Sequence, residues 1–180
     1  GSKSRNASVG SHTIVQNNDV LLSLKGFGSD GTNFEEAAQI EMQVDGTPNN
    51  NVMPGRIVFK TTTTDGVAER LRITSDGDFG TGGVTPTTQS GRVFHLHAGN
   101  AQQRFHMTNS TTGTSATDGF EILIDQQTNT NCRIRNFEAG FMAFDTGGAN
   151  NEVMRITSDG KIGIHTTTPD AKLSISGGSI

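Results

Sequence analysis

The chain contains no tryptophan, no tyrosine and a single cysteine, Cys132. One cysteine excludes an internal disulfide framework. A reactive thiol needs a shaped electropositive site, so the expected place of Cys132 is that of a small buried apolar residue. No apolar run approaches the roughly 20 residues of a membrane-spanning helix, and no signal peptide is visible. Membrane insertion is therefore not expected. The net charge is only −4. No basic stripe with interleaved aromatics exists, so nucleic acid is not an expected partner. Long runs of Ala, Leu, Glu and Lys at helical spacing are missing. So are a P-loop, a dinucleotide fingerprint, a nucleophile elbow and a zinc signature.

Apolar residues are scarce as well, at 31% of 180 residues. A core drawn from so few apolar residues is thin. Association with further chains completes such a core, because it buries surface that one subunit leaves wet.

What the chain has in abundance is turn and strand chemistry: 23 glycines, with many Thr, Asn and Ser. Branched Thr suits a pleated surface, and Gly and Asn supply the positive φ of tight turns. One passage occurs twice. Arg72-Ile73-Thr74-Ser75-Asp76-Gly77 returns as Arg155-Ile156-Thr157-Ser158-Asp159-Gly160. The same offset takes Glu69 to Glu152, Gly80 to Gly163 and Pro86 to Pro169. Leu71 and Ile73 share one strand face and Arg70, Arg72 and Thr74 the other, and Ser-Asp-Gly makes the turn. Each copy therefore reads as a β-hairpin, and a long-period repeat points to stacked units. The expected division is a flexible lead-in over residues 1–11 and two β repeat units over 12–90 and 91–180.

Further strands are expected at Val20 to Leu24, Ile40 to Val44, Arg56 to Lys60, Val93 to Ala98, Arg104 to Thr108, Phe120 to Ile124, Cys132 to Arg135, Phe141 to Phe144 and around Leu173 and Ile175. Gly26, Gly28 and Gly31 read as loop punctuation. Phe34 to Gln39 predicts one or two helical turns, because Glu35, Glu36, Ala37 and Ala38 are good helix formers. Gln126 to Asn131 reads as a polar connection, and Gly177-Gly178 as a terminal break. The fold class is all-β: short antiparallel strands and hairpins in an antiparallel meander, sandwich or prism.

Residues 152–164, from Glu152 to Ile164, followed by Thr166, Pro169, Lys172, Leu173 and Ile175, resemble a motif of bacteriophage tail-fibre proteins. Asp118-Gly119-Phe120-Glu121-Ile122, Arg133 to Asn136 and Phe141 to Phe144 are similar to the segment that precedes it. Gly28 to Gly31, Ala37 to Ile40 and Met53 to Ile57 look like a sister repeat type. The resemblance spans roughly residues 12–176. His165 departs from it, standing where the family usually has Gly. In that family the motif often lies just upstream of an intramolecular chaperone. The resemblance implies an elongated homotrimeric β-prism or β-sandwich fibre segment of the virion, extracellular and non-catalytic. Its partners would be copies of itself and a bacterial surface receptor, glycan or protein. Threefold closure also agrees with the need to hide exposed strand edges.

Candidate sites follow. His95 and His97 point to one side of a strand. Three chains would bring six imidazoles together, which suits an octahedral transition-metal site. The resemblance implies iron on the trimer axis. The alternative is a surface strand with Phe94 and Leu96 inward and both histidines solvated. Asp76 and Asp159 occupy the same turn position, which fits backbone bonding rather than a catalytic pair. Phe27, Phe34, Phe137 and Phe141 are the available substitutes for a sugar-binding platform, though core packing is the expectation. A tailspike-like polysaccharide depolymerase would need two carboxylates at a defined separation, and no convincing pair exists. A bacterial or prophage adhesin is the remaining alternative.

Overall fold

Alternating apolar and polar residues, broken every few positions by Gly, Asn or Asp, leave the backbone little choice but strands and turns. A computed structural model describes residues 2–8, 10–87, 90–99, 101–126, 131–148 and 151–177. Residues 127–130 of the polar connection, and Gly178, lie outside the described residues. The described residues hold thirteen strands and no helix. The chain divides into two compact units, 1–100 and 101–180.

The first unit is a six-stranded sheet in sequential order. It comprises β1 (Val20–Ser29), β2 (Phe34–Val44), β3 (Gly55–Thr63), β4 (Gly66–Ile73), β5 (Phe79–Thr81) and β6 (Phe94–His95). Neighbours are antiparallel from β1 to β5, and β6 joins β5 in parallel. Ahead of β1, Arg5 forms a bidentate pair with Asp19 at 2.7 Å for both bonds.

The second unit holds two sheets. One is β7 (Gln103–Met107), β8 (Phe120–Ile124) and β9 (Cys132–Asn136), all antiparallel. The other is β10 (Met142–Asp145), β11 (Glu152–Ile156), β12 (Ile162–Ile164) and β13 (Leu173–Ile175), with β13 parallel to β12.

Two expectations fail in the first hairpin. Phe34 to Gln39 is strand, not helix: it pairs with β1, and cross-strand hydrogen bonds outweigh the modest helix propensity of Glu and Ala. Gly26 and Gly28 lie inside β1 rather than in a loop, and only residues 30–33 form the turn.

The sequence repeat is a structural repeat. β3 to β6 and β10 to β13 share one plan: two antiparallel steps, then a parallel return. Both turns carry the same bonds. Gly77 N–H reaches Thr74 O and Gly160 N–H reaches Thr157 O, each at 3.0 Å. Both glycines take positive φ, 83° and 79°. In each copy an arginine clasps a glutamate three residues back. Arg72 grips Glu69 at 2.5 and 2.7 Å, and Arg155 grips Glu152 at 2.5 and 2.7 Å.

Candidate functional site

Pairing register assembles the dominant surface feature of the chain. Leu22, Met42, Ile57, Ile73, Phe79 and Phe94 form one cross-strand row over all six strands of the first sheet. Leu24, Ile40, Phe59, Leu71 and Thr81 form the next. These side chains share a face and are exposed or half-buried. Phe79 and Phe94 meet edge to face, with centroids 6.2 Å apart. A shallow cavity of about 450 Å³ opens among Leu24, Gly26, Ala38, Ile40, Phe59 and Thr61.

The opposite face is polar, and it is the buried one. Gln39, Glu41, Gln43 and Arg72 are buried there around Val58. Lys60 pairs with Glu41 at 2.8 Å, and Gln43 also donates to Glu41. Arg56 donates to Gln43 at 2.7 Å and to Asp45 at 3.1 Å. Burial pushes the Glu41 carboxyl up, but Lys60 and Gln43 pull it further down, so it ends below its ordinary value.

The second unit repeats this inversion in its three-stranded sheet, whereas the four-stranded sheet leaves its charged and apolar residues alike half-buried or exposed. On the three-stranded sheet Phe105, Ile122 and Ile134 form an exposed row. On its other side Glu121 and Asp125 are buried beneath Arg104, Arg133 and Arg135. On the four-stranded sheet Met142, Ile156, Ile162 and Leu173 form one row, and Phe144, Met154, Ile164 and Ile175 the next. Cys132, expected to be buried, is exposed, because it ends the apolar-face row of Gln103 and Ile124. No single residue announces these rows. The signal available in the sequence is the alternation itself, with Glu41, Arg72, Glu121 and Arg155 out of phase with their apolar neighbours, although bulges shift the phase at Glu36, Glu69 and Glu152.

His95 pairs in register with Gly80, which pairs with Arg72. The histidine pair therefore belongs to the charged face, opposite Phe94. The rings of His95 and His97 lie 6.1 Å apart at 75°. Nδ1 of His95 is buried and has no partner among the described residues, as a metal donor would. Among the described residues no third His, Cys, Asp or Glu joins the pair to make a metal-binding group within one chain.

Asp76 and Asp159 sit in the equivalent turns. Asp159 accepts from the Thr157 hydroxyl at 2.6 Å and pairs with Lys161 at 3.1 Å. Asp76 lines a polar cavity of about 530 Å³ with Asp45, Asp78, Arg56 and Arg72. Two of its carboxylates are committed to structure. Asp45 accepts from Ser75 N–H at 2.8 Å, and Asp78 from Val93 N–H at 2.9 Å. Burial raises Asp45, but Ser75 and Arg56 lower it further, which disfavours a proton-donating role near neutrality.

The phenylalanines did not go where core packing would put them. Phe27, Phe34 and Phe141 are exposed, and Phe137 is half-buried. The Arg155 guanidinium covers Phe141 at 4.0 Å from the ring centroid.

No family model matches this sequence, and no curated protein matches it. Among solved structures, the chain is similar to the carboxy-terminal domain of the bacteriophage T5 L-shaped tail fibre with its intramolecular chaperone domain. That likeness has 10% identity and a TM-score of 0.45, over 95% of this chain and 64% of that one. A structure of the carboxy-terminal domain of the same fibre matches at 11% identity and a TM-score of 0.43, over 91% of this chain and 85% of that one. This chain thus spans somewhat less than two thirds of the first of these structures, 64% of its length.

Proposed function

We propose that the chain is a non-catalytic structural and host-attachment segment of a phage tail fibre, working as a homotrimer on the virion and presenting a surface to bacterial glycan or protein. One observation carries the reading: all three sheets leave apolar rows uncovered, and the six-stranded and three-stranded sheets bury charged residues on the opposite face. Folding a sheet this way is favourable only when something else removes the rows from water, at roughly 25 cal/mol for each Å² of apolar surface. The rows are uncharged from end to end, so identical faces from other copies meet without like-charge repulsion. The number three comes from the sequence resemblance, and cyclic closure leaves no copy with an uncovered face. A fibre segment acts mechanically, and repeated weak contacts at its surface add up.

Light scattering on the purified protein tests this. The expected mass is three chains of 19.0 kDa. A stable species of one chain mass overturns the reading. Ile57→Asp, at the centre of the first row, is expected to dissociate the assembly.

His95 and His97 give a second reading, favoured by the unpartnered Nδ1 of His95. Iron or another transition metal held by three such pairs would cross-link the copies. It requires the charged face at the axis, so it competes with burial of the apolar rows. Metal analysis of the wild type and of His95→Ala/His97→Ala separates the two. Bound metal lost with the histidines, together with a lower melting temperature, favours the metal. A metal-free protein of unchanged stability favours the rows.

A further inference from the structure

The β1–β2 hairpin outruns its sheet. β3 pairs with β2 only from Ala38 onward, so Phe34, Glu35 and Glu36 have ladder partners on β1 alone, and β3 adds only a Thr62 hydroxyl bond to the Glu36 carbonyl oxygen at 2.5 Å. The hairpin end is fixed by its own chemistry. Asp30 N–H bonds Asn33 O at 3.0 Å, and the Asp30 carboxylate accepts from Thr32 N–H and Asn33 N–H, both at 2.7 Å. Gly31 supplies the turn with φ of 99°.

Two phenylalanines stand on this rigid end. Phe27 is 56% exposed and Phe34 is 77% exposed. Phe27 lies two residues from Lys25 along β1, hence on the same side. Its register partner is Glu36, which Lys25 bridges at 2.7 Å. The next same-side pair is Ser29 with Phe34. Both rings therefore lie on the charged face, away from the apolar rows. Other exposed phenylalanines have a role already. Phe79, Phe94, Phe105 and Phe144 belong to rows, and Phe141 is covered by Arg155. An assembly that covers the rows leaves Phe27 and Phe34 in water.

We infer that Phe27 and Phe34 form a saccharide-contacting patch, taking the C–H faces of pyranose rings while the polar rim takes hydroxyls. The C–H groups of a pyranose carry partial positive charge and meet the negative face of an aromatic ring. The rim supplies Ser29, Thr32, Asn33 and the Lys25–Glu36 pair, with donors and acceptors interleaved. Size argues for a sugar over a protein. Two rings offer at most about 250 Å² each, well short of the roughly 800 Å² per partner of a stable protein interface. The inference rests on the fibre reading for the number of patches per particle, which turns weak single contacts into useful attachment. The patch itself belongs to one chain.

Saturation-transfer NMR of the whole protein tests it. The probes are methyl glycosides of glucose, galactose and mannose, with N-acetylglucosamine and rhamnose. At least one is expected to receive saturation from the wild type. In Phe27→Ser/Phe34→Ser the signal falls about tenfold or more, as for a hot-spot pair, with mass and melting temperature unchanged. Phe27→Tyr/Phe34→Tyr is expected to retain it. No transfer from the wild type, or transfer undiminished in the serine variant, overturns the patch. So does loss of assembly in that variant, which would make the rings an interface. Binding to host cells stripped of surface polysaccharide, lost in the serine variant, assigns the patch to a protein and also overturns it. Sugar binding by a protein of one chain mass would sink the trimer and leave the patch standing.

Discussion

Glu121 and Ile122 are neighbours on β8, and the glutamate is the buried one: Glu121 is 0% exposed and Ile122 is 48% exposed. Arg135 holds the carboxylate at 2.9 Å, and Arg104 stands 3.5 Å away. The two residues report different things. Glu121→Gln is expected to lower stability by about 3 kcal/mol, because it strips the counter-charge from partly buried arginines. Its assembly mass should not change. Ile122→Asp is expected to cost assembly instead. Denaturant melts and light scattering on both variants check the pair of outcomes.

Acid should unfold the protein. Glu41 and Asp45 are lowered despite burial, by Lys60 and Gln43 in one case and by Ser75 and Arg56 in the other. Glu152 is lowered chiefly by its hydrogen bonds from Arg155. A carboxylate with a depressed folded pKa contributes stability above its unfolded value, about 4. That contribution is lost as pH falls through the folded value. The melting temperature is therefore expected to hold from neutrality down to about pH 5 and then to drop. Lys60→Met leaves burial of Glu41 less opposed, so it should lower the melting temperature at neutrality and make the fall below about pH 5 shallower, and thermal melts across the range would show it.

The two repeat copies should be equally intolerant at one matched position. A Cβ on Gly80 would stand 2.5 Å from the Pro86 ring, and one on Gly163 would run into the Thr166 carbonyl oxygen. Gly80→Ala and Gly163→Ala are each expected to cost about 1–3 kcal/mol, the usual range for overpacking. Gly28→Ala, with open space at its Cβ, serves as the control in the same melts.

His165 carries a backbone conformation that glycine would take. Its φ is 51°, a left-handed conformation that side chains resist. Its N–H still bonds Val153 O at 3.0 Å, which holds the position in place. His165→Gly relieves the strain at some entropic cost, so a net gain of about 0.5 kcal/mol is expected. His165→Val should lose stability, since a β-branched side chain tolerates this region least. Paired thermal melts decide the sign.

Much of the fold was legible because alternation and turn chemistry agree. The hairpins at Ser-Asp-Gly, the strands around Ile40 to Val44 and Arg56 to Lys60, and the all-β class all follow from local pattern. What misled was local propensity without its partner. Glu35 to Ala38 favour a helix in isolation, and only pairing with β1 makes them strand. The phase of burial was the other hidden item. Leu71 and Ile73 lie opposite Arg72 as the alternation implies, yet Arg72 is the buried member within one chain. Composition warned of a thin core but could not say which face would be left open. That depends on cross-strand register, which joins residues as distant as Leu22 and Phe94.

Methionine oxidation reads directly whether the apolar rows are covered in solution. Met42 lies in the middle of the first row and Met53 in the loop before β3, and alone in solution they are similarly exposed, at 43% and 53%. Dilute peroxide on the native protein, followed by peptide mass spectrometry, reads each site. Met42 is expected to resist oxidation while Met53 reacts freely, and Ile57→Asp is expected to bring Met42 up to the rate of Met53. Equal rates at the two methionines in the native wild-type protein would contradict that coverage.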